Sequence, residues 1–324
     1  MFLPMAGQGA ARFDRAVPAA PWSATMRDMQ HTQAARIAVA ICSAGRPDIL
    51  REALPHLAAQ TRAPDRILFV VPSEADMPFD PASALPRAER VIAPKGLPRQ
   101  RNAALDRVGD CDAILFLDDD FVPSPDTVAG VLAAFARWPD VGGMTGHLIA
   151  DGIGGAGFSD AEAASRVADH VPPPGRPRVL RDRLAGLYGC NMAYRMSAIG
   201  TQRFDEALPL YAWQEDTDFA ARIDGRRIKT DAFAGVHRGA KAGRETSGRR
   251  LGYSQIANPW YLWRKGTMRA GFALNLALRN LAANHARSFR PEPWIDRRAR
   301  AAGNRRALWE VATGRAAPDR ILSL

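Results

Sequence analysis

Cysteine is scarce in this sequence, and its scarcity excludes two kinds of small, cross-linked domain. The 324 residues include three cysteines, Cys42, Cys111 and Cys190, which lie far apart in the chain. Such an odd and scattered set cannot form a disulfide framework, and no C-x-x-C pair is available to bind zinc. We therefore expect a protein of a reducing compartment.

Long apolar runs are also missing. No stretch reaches the roughly 18 apolar residues of a membrane-spanning helix. The first residues lack the basic and apolar regions of a signal peptide. Because 47% hydrophobic and 24% charged residues are ordinary values for a folded chain, the sequence predicts a globular protein that stays in the cytoplasm.

Acidic residues are few in the last quarter of the chain. Residues 238–324 contain 18 Lys and Arg but 5 Asp and Glu, a net charge of +13, whereas residues 1–237 contain 26 and 29. This asymmetry predicts an anionic partner, which is a membrane surface, a nucleic acid or phosphate groups. We favour peripheral binding to the inner face of an anionic membrane, because aromatic and apolar residues accompany the charge. The aromatic cluster is Trp260, Tyr261 and Trp263. The apolar stripe is Met268, Phe272 and Leu276, with Leu278 and Leu281 nearby, and packing of this stripe on the catalytic domain is an equally good explanation.

Strand-like apolar segments alternate with helical patterns from Arg36 onward. The segments RIAVAICS, RILFVV, RVIAP and CDAILFL are typical of buried strands, and helical patterns separate them. Consecutive strand–helix–strand units predict an α/β fold with a mainly parallel central sheet flanked by helices. We expect a flexible tail over residues 1–34, the α/β domain over 35–237, and a basic loop with a helical extension over 238–324.

The segment FLDDD is the strongest chemical feature. A buried strand ends in Asp118, Asp119 and Asp120, at the edge where ligands of open parallel sheets bind. Three adjacent carboxylates repel one another unless a cation joins them, and Mg²⁺ or Mn²⁺ prefer oxygen ligands. The alternative is a solvated loop that caps the next helix, but Ser124, followed by Pro125, is predicted to supply that cap. The sequence therefore predicts a metal–phosphate site.

A second acidic group, Glu215 and Asp216, begins a short helical pattern next to Trp213. Carboxylates in the first turn of a helix are stabilised by the helix dipole, so a structural role is one interpretation. Beside an aromatic side chain and a metal–phosphate site, the pair is also a candidate general base next to a stacking platform.

Five segments, taken in order, resemble the family-2 inverting glycosyltransferases, which have the GT-A fold. The segments are RPDILREALPHLAAQTRAPDRILFVV, GLPRQRNAAL, AILFLDDD, GCNMAYR and QEDTDFAARI, and they lie between about Arg36 and His237. The resemblance implies transfer of a sugar, with inversion, from a nucleotide diphosphate sugar, in particular a UDP-sugar, aided by Mg²⁺ or Mn²⁺. It also implies a saccharide or lipid-linked acceptor, as in polysaccharide biosynthesis.

The resemblance also implies roles for individual residues. Asp216 would be the base that deprotonates the acceptor hydroxyl, with Glu215 beside it in the catalytic pair. Asp120 would hold the metal, and His237 lies where some relatives have a further metal ligand. The donor would be bound by Arg46, Arg101, Asn102, Asp118 and Asp119, and the acceptor by Gly189, Asn191 and Trp213.

One position departs from the family pattern. After the second strand, relatives usually have Asp-Asp-Gly-Ser, whose first aspartate reads the nucleotide base, whereas this chain has Pro72 and Ser73. Glu74 or Asp76 would substitute only after a shift, so the identity of the base is left open.

Two other functions fit parts of the sequence. Gly152, Gly154 and Gly157 have the G-x-G-x-x-G spacing of an NAD-dependent oxidoreductase, but no strand–helix–strand unit with a later acid surrounds them. A nucleic-acid-binding protein would use the basic, aromatic C-terminal part, but no nucleic-acid motif accompanies it, and we expect no such partner.

The segment GAKAGRETSGRR after His237 is either a disordered basic loop or a loop that closes over the pyrophosphate.

Overall fold

A computed structural model describes residues 35–241 and 247–324. The predicted N-terminal tail, residues 1–34, lies outside these ranges, as do residues 242–246 of the Gly-rich segment. The tail prediction and the predicted closing loop therefore stay predictions.

A nine-stranded sheet forms the centre of the protein. Its strands are β1 (Ile37–Cys42), β2 (Arg66–Val71), β3 (Ala88–Ile92), β4 (Ala113–Asp118), β5 (Phe121–Pro123), β6 (Val141–Asp151), β7 (Val179–Arg181), β8 (Asn191–Arg195) and β9 (Arg226–His237). They follow the order β3-β2-β1-β4-β8-β6-β9-β5, and β7 pairs with β9 outside this path. Strands β3, β2, β1 and β4 are parallel, as are β6 and β9, whereas β5, β7 and β8 pair antiparallel with their neighbours.

Helices cover both faces of this sheet. They are α1 (Pro47–Ala58), α2 (Leu97–Arg107), α3 (Thr127–Arg137), α4 (Asp160–Ala168), α5 (Met196–Ile199), α6 (Glu215–Arg222), α7 (Gly248–Lys265), α8 (Ala270–Arg287) and α9 (Arg297–Ala312). In β1, Ile37, Val39 and Ile41 belong to a hydrophobic cluster with α1 and α3, whereas Ala38 and Ala40 belong to one with α2 and α6. Burial on both faces explains why the strands are continuous apolar runs in the sequence.

The pairing of strands brings the residues with predicted chemistry to one edge of the sheet. Cys42 pairs with Asp118, so the turn after β1 lies beside the aspartates that follow β4. His237, the last residue of β9, pairs with Phe121 and with Asp151, the last residue of β6. Phe121 directly follows the three aspartates, so His237 is held next to them.

The predicted cap of the helix after FLDDD is wrong. Helix α3 begins at Thr127 with Asp126 as its N-cap residue, and no side chain caps it. The backbone N–H and the hydroxyl of Ser124 instead both donate to the carbonyl of Ala234, at 2.9 Å. Ser124 therefore holds β5 against β9, close to the aspartates.

The apolar stripe of the C-terminal part is packed inside the protein. Met268 is buried in a cluster with Leu208 and Leu262, and Phe272 and Leu276 are partly buried against the same cluster. Packing therefore accounts for these three residues, and membrane binding by the C-terminal part stays a prediction.

The longest helices of the described chain are α7 and α8, with 18 residues each. Across residues 35–241 and 247–324, no helix combines the length and apolar composition that crossing a bilayer requires.

Helices α7 and α9 cross in backbone contact at two glycines. A Cβ atom on Gly252 would lie 2.1 Å from the carbonyl oxygen of Arg300, and one on Gly303 would lie 2.1 Å from that of Arg249. The side-chain amide of Asn304 donates to the Gly252 carbonyl at 2.6 Å. Only residues without a Cβ allow the helices to approach this closely.

We expect Gly303→Ala to destabilise the protein. The added methyl group would meet a backbone carbonyl that cannot move aside alone, and forced overpacking typically costs about 1–3 kcal/mol. Gly271→Ala in α8 is the matched control, since nothing lies within 4 Å of its Cβ position and alanine is the better helix former by about 1 kcal/mol. Denaturant unfolding measures both, and equal stability of the two variants would contradict the packing argument.

Candidate active site

Three potential metal ligands meet where β4 and β9 end. Asp118, Asp120 and His237 each place one ligand atom so that all three lie within 4.8 Å of one another. The Nε2 atom of His237 lies 3.5 Å from an oxygen of Asp120 and 3.8 Å from an oxygen of Asp118. Asp120 and His237 are buried, whereas Asp118 is partly exposed. A set with two carboxylates and one imidazole can hold a divalent cation.

Asp151 and Tyr188 hold the ring of His237 in place. The Nδ1 atom of His237 lies 2.9 Å from one oxygen of Asp151, and the Tyr188 hydroxyl donates to the other oxygen at 2.9 Å. The Tyr188 ring packs edge-on against the imidazole, with centroids 5.9 Å apart. Burial acts to raise the pKa of Asp151, but the hydrogen bonds that it accepts lower that pKa overall. An ionised Asp151 accepts a hydrogen bond from the Nδ1–H group of His237, and this tautomer leaves the Nε2 lone pair directed at the two aspartates.

The turn after β1 is bound to the aspartates through Ser43 and Arg46. Asp119 accepts a hydrogen bond from the Ser43 hydroxyl at 2.5 Å and forms an ion pair with Arg46 at 2.8 Å. The other terminal nitrogen of Arg46 lies 3.3 Å from Asp120. Burial raises the pKa of Asp119 to about 6, and Arg46 acts in the opposite direction. Asp119 therefore joins two loops.

Arg101 joins the aspartate cluster to the second acidic group. Its guanidinium forms a close ion pair with Glu215, lies 3.5 Å from Asp118 and donates to the carbonyl of Gly189 at 3.1 Å. Burial disfavours its charge, but these carboxylates raise the pKa of Arg101. Burial raises the pKa of Glu215 to about 8, against the effect of Arg101. The site thus contains a fixed, buried cation between its two acidic groups.

Asp216 lies beside Gly189, in the first turn of α6. One of its oxygens accepts from the N–H of Gly189 at 3.0 Å, and the other accepts from the N–H of Thr217 at 2.7 Å. A Cβ on residue 189 would lie 3.1 Å from the Asp216 carboxylate and 3.4 Å from the Arg101 guanidinium, so glycine lets both groups approach the same backbone. Burial raises the pKa of Asp216, as a group that accepts protons requires.

A strained loop leads into α6. Leu210, Ala212 and Gln214 have positive φ angles of +57°, +49° and +76°, which cost non-glycine residues about 1–3 kcal/mol each. Helix α7 supports the loop, because Asn258 donates to the carbonyl of Trp213 at 2.9 Å. The predicted aromatic platform, Trp213, therefore lies half-buried directly before the acidic pair.

Asp218, the third acid of α6, has a structural role. Its buried carboxylate accepts hydrogen bonds from Thr267 at 2.7 Å and from Lys265 and Arg222 at 2.9 Å. Lys265 and Thr267 lie at the end of α7, so the C-terminal helices hold α6 through this carboxylate.

Two predicted ligand-binding residues have their side chains engaged in the interior. The Asn102 amide bonds to the backbone N–H and carbonyl of Phe204 and to Glu206, and its contact with a nucleotide stays a prediction. The Asn191 side chain is fully buried and accepts a hydrogen bond from Thr145 at 2.5 Å. Contact between Asn191 and an acceptor stays a prediction.

Two of the three glycines with the G-x-G-x-x-G spacing, Gly152 and Gly157, have a packing role that differs from binding a dinucleotide. They follow β6, and a Cβ on Gly152 would lie 2.1 Å from the carbonyl oxygen of Arg238. One on Gly157 would lie 3.0 Å from the carbonyl oxygen of Gly239. These glycines therefore let the turn after β6 pack directly on the chain that leaves β9.

Sequence reasoning missed the two residues that orient His237. Asp151 ends the apolar strand VGGMTGHLIA, just as Asp118 ends AILFL, and this shared pattern is a signal that could have found it. Tyr188 has no comparable signal, because it lies in a Gly- and Pro-rich stretch whose partners only the fold determines.

Several solved structures are similar to this chain. The mannosyltransferase PcManGT from Pyrobaculum calidifontis, in complex with GDP-Man and Mn²⁺, is 15% identical over 89% of this chain and 85% of its own, with a TM-score of 0.48. Residues 1–349 of S. aureus TarS are 13% identical over 86% of this chain and 92% of their own, with a TM-score of 0.44. GalNAc-T7 with UDP, GalNAc and Mn²⁺ is 13% identical over 86% of this chain and 58% of its own, with a TM-score of 0.46.

Comparison of the sequence with protein families identifies one family. No curated protein matches the sequence, but the family model of glycosyl transferase family 2 matches residues 38–201, half of the chain. The matched range begins in β1 and includes the aspartates after β4, Arg101 and Gly189. This chain therefore belongs to glycosyl transferase family 2 and is a glycosyltransferase with the GT-A fold.

Proposed function

We propose that this glycosyltransferase moves a sugar, with inversion, from a nucleotide diphosphate sugar to an acceptor hydroxyl. The donor that we expect is a UDP-sugar, the acceptor is a saccharide or a lipid-linked molecule, and the cation is Mg²⁺ or Mn²⁺. One observation carries the proposal. Arg101 and Gly189 join a cluster of metal-ligand groups to a half-buried aspartate, Asp216, within one site.

The cluster of Asp118, Asp120 and His237 fits a divalent cation. The imidazole Nε2 and two carboxylates approach within 3.5–3.8 Å, and lone pairs directed at one another are stabilised when a cation is shared between them. A bound cation would neutralise the charge that develops on the leaving diphosphate. We assign Asp120 and His237 as its ligands and Asp118 as the accessible carboxylate on the nucleotide side.

Arg46 is the donor-side cation in this proposal. It already approaches Asp119 and Asp120, and its buried Nε has no hydrogen-bond partner among the described residues. A guanidinium with an unused donor is suited to bind phosphate oxygens. Arg101, by contrast, is committed to protein groups, and we propose that it holds Asp118 in position.

Asp216 is the proposed base. It would accept the proton of the acceptor hydroxyl as that oxygen attacks the anomeric carbon, while Gly189 and Thr217 hold the carboxylate through their N–H groups. Glu215 is paired with Arg101 through one oxygen, and Asp218 is bound by three donors, so we assign the role of base to Asp216. A single in-line displacement needs one base and no nucleophilic carboxylate, and it inverts the configuration.

We expect Asp120→Ala to remove metal-dependent donor binding and to leave the fold intact. The variant lacks a buried carboxylate that would coordinate the proposed cation. A molecule that binds only the native state raises the melting temperature, so donor binding can be followed by this temperature. Thermal shift with UDP-, GDP- and ADP-sugars, with and without Mn²⁺, measures metal-dependent donor binding. In the parent protein it also identifies which nucleotide base the donor carries. Parent-like Mn²⁺-dependent stabilisation of the variant would refute the metal assignment.

We expect Asp151→Asn to weaken Mn²⁺ binding by about 10–100-fold, the usual effect of removing the carboxylate that orients a metal-ligating histidine. Titration of Mn²⁺ by electron paramagnetic resonance measures this affinity without any turnover. Asp140→Asn is the control, because Asp140 pairs with Arg226, at the opposite end of β9 from His237. Equal weakening in both variants would mean a general structural effect.

We expect Asp216→Asn to retain donor binding and to lose about 10²–10⁴-fold in transfer rate, since an amide cannot accept the proton. The parent base works only when ionised, so activity should fall as the pH decreases through a pKa above the ordinary aspartate value of 3.8. The pH profile of kcat/KM shows this acidic limb. Asp218→Asn is the control, and it should lower stability rather than rate. Transfer by Asp216→Asn close to that of the parent would exclude Asp216 as the base.

A further inference from the structure

The outer side of α8 is exposed and apolar. Its inner side is held by buried Ala273 and Asn284. On the opposite side, Leu274 and Leu278 are 60% and 53% exposed, and exposed Ala282 follows at the same four-residue spacing. These three residues form the outer stripe, which is distinct from the packed stripe described above.

The outer stripe leads toward an exposed phenylalanine and a basic pocket. Phe289, two residues after the end of α8, is 84% exposed. It lines a shallow pocket of about 380 Å³ together with Ser288, Arg298, Ala301 and Arg305. The guanidinium of Arg298 donates to the carbonyl of Ser288 at 3.2 Å, which holds one cation at the pocket. The pocket therefore begins at Ser288, the residue that directly follows α8, whose outer side carries the stripe.

Positive charge predominates around this surface, although exposed Asp296 lies two residues before Arg298. Glu292 is paired with Arg287 and Arg297, and Glu310 is paired with Arg306 and Arg320. Helix α8 itself contains no acidic residue. The exposed arginines of residues 247–324 are Arg249, Arg264, Arg269, Arg279, Arg290, Arg298, Arg305, Arg315 and Arg320.

We propose that this surface, formed by the outer stripe, Phe289 and the basic pocket, docks on an anionic lipid bilayer. The apolar side chains would enter the boundary between headgroups and acyl chains, as the apolar face of an interfacial helix does. Arg298 and Arg305 would contact lipid phosphates. Each cation near an anionic membrane strengthens binding by about fivefold, so the net charge of +13 on residues 238–324 favours this occupant.

Two other partners of this surface, a second copy of the chain and a nucleic acid, fit its charge and its apolar side chains less well. A second copy of the chain would bring two surfaces of the same sign together, and like charges oppose association. A nucleic acid would pair with the arginines but would leave Leu274, Leu278 and Phe289 without apolar partners. The bilayer satisfies both the charge and the apolar side chains. If the acceptor of the proposed function is lipid-linked, docking would bring the enzyme to it, but the docking itself does not depend on glycosyl transfer.

Vesicle flotation of the full chain tests the proposal. We expect binding to phosphatidylcholine vesicles that contain 30% phosphatidylglycerol, little binding to phosphatidylcholine alone, and loss of binding in high salt. Leu274→Gln/Leu278→Gln should weaken binding by about tenfold or more, because it removes apolar side chains from the interface. Arg298→Gln/Arg305→Gln should weaken it by about 25-fold.

Matched controls separate this surface from general effects. Ile92→Gln/Val171→Gln removes equally exposed apolar side chains elsewhere, and Arg51→Gln/Arg107→Gln removes exposed cations elsewhere. Both should bind vesicles like the parent. Unchanged melting temperatures show that the variants fold, and Mn²⁺-dependent donor binding, measured without vesicles, reports separately on the proposed function. Three results would overturn the proposal. The first is vesicle binding by Leu274→Gln/Leu278→Gln that equals that of the parent, and the second is vesicle binding that does not depend on lipid charge. The third is a salt-sensitive dimer of the parent that the same double variant abolishes.

Discussion

The buried guanidinium of Arg101 is the interaction on which the active site depends. It links Asp118 after β4, Glu215 in α6 and the backbone of Gly189, three segments that are far apart in the sequence. Removing one partner of a buried ion pair typically costs about 3–5 kcal/mol, because the other charge is left uncompensated. The metal-ligand cluster and the proposed base therefore keep a fixed relation through a residue that binds neither the cation nor the acceptor proton.

The C-terminal helices support the segment that carries the proposed base. Asn258 holds the strained loop that precedes α6, and Lys265 and Thr267 bind the carboxylate of Asp218 within α6. Backbone strain of the kind seen at Gln214 persists only where surrounding contacts maintain it. The basic extension thus has two different sides: contacts on the inner side position the acidic pair, and the outer side of α8 carries the proposed lipid-binding surface.

Much of the fold was predictable because buried parallel strands are continuous apolar runs and helices have their own periodicity. The end of β4 in FLDDD and the acidic start of α6 were also predictable from the sequence, since a strand end and a helix start are local features. Other features were not predictable. Ser124 looked like a helix cap but bonds to Ala234, more than a hundred residues away. Asn102 follows Arg101 in the sequence, yet its amide bonds to Phe204.

The sequence by itself determined the family, the order of strands and helices, and the residue types at the site, because these depend on local pattern and composition. Only the tertiary structure decided that Asp151 orients His237, that Met268 packs inward, and that Leu274 and Leu278 face outward. The physical reason is the same in each case. Periodicity shows which residues share a face of a helix or strand, but which face is covered, and which distant group accepts a hydrogen bond, depends on how the segments pack together.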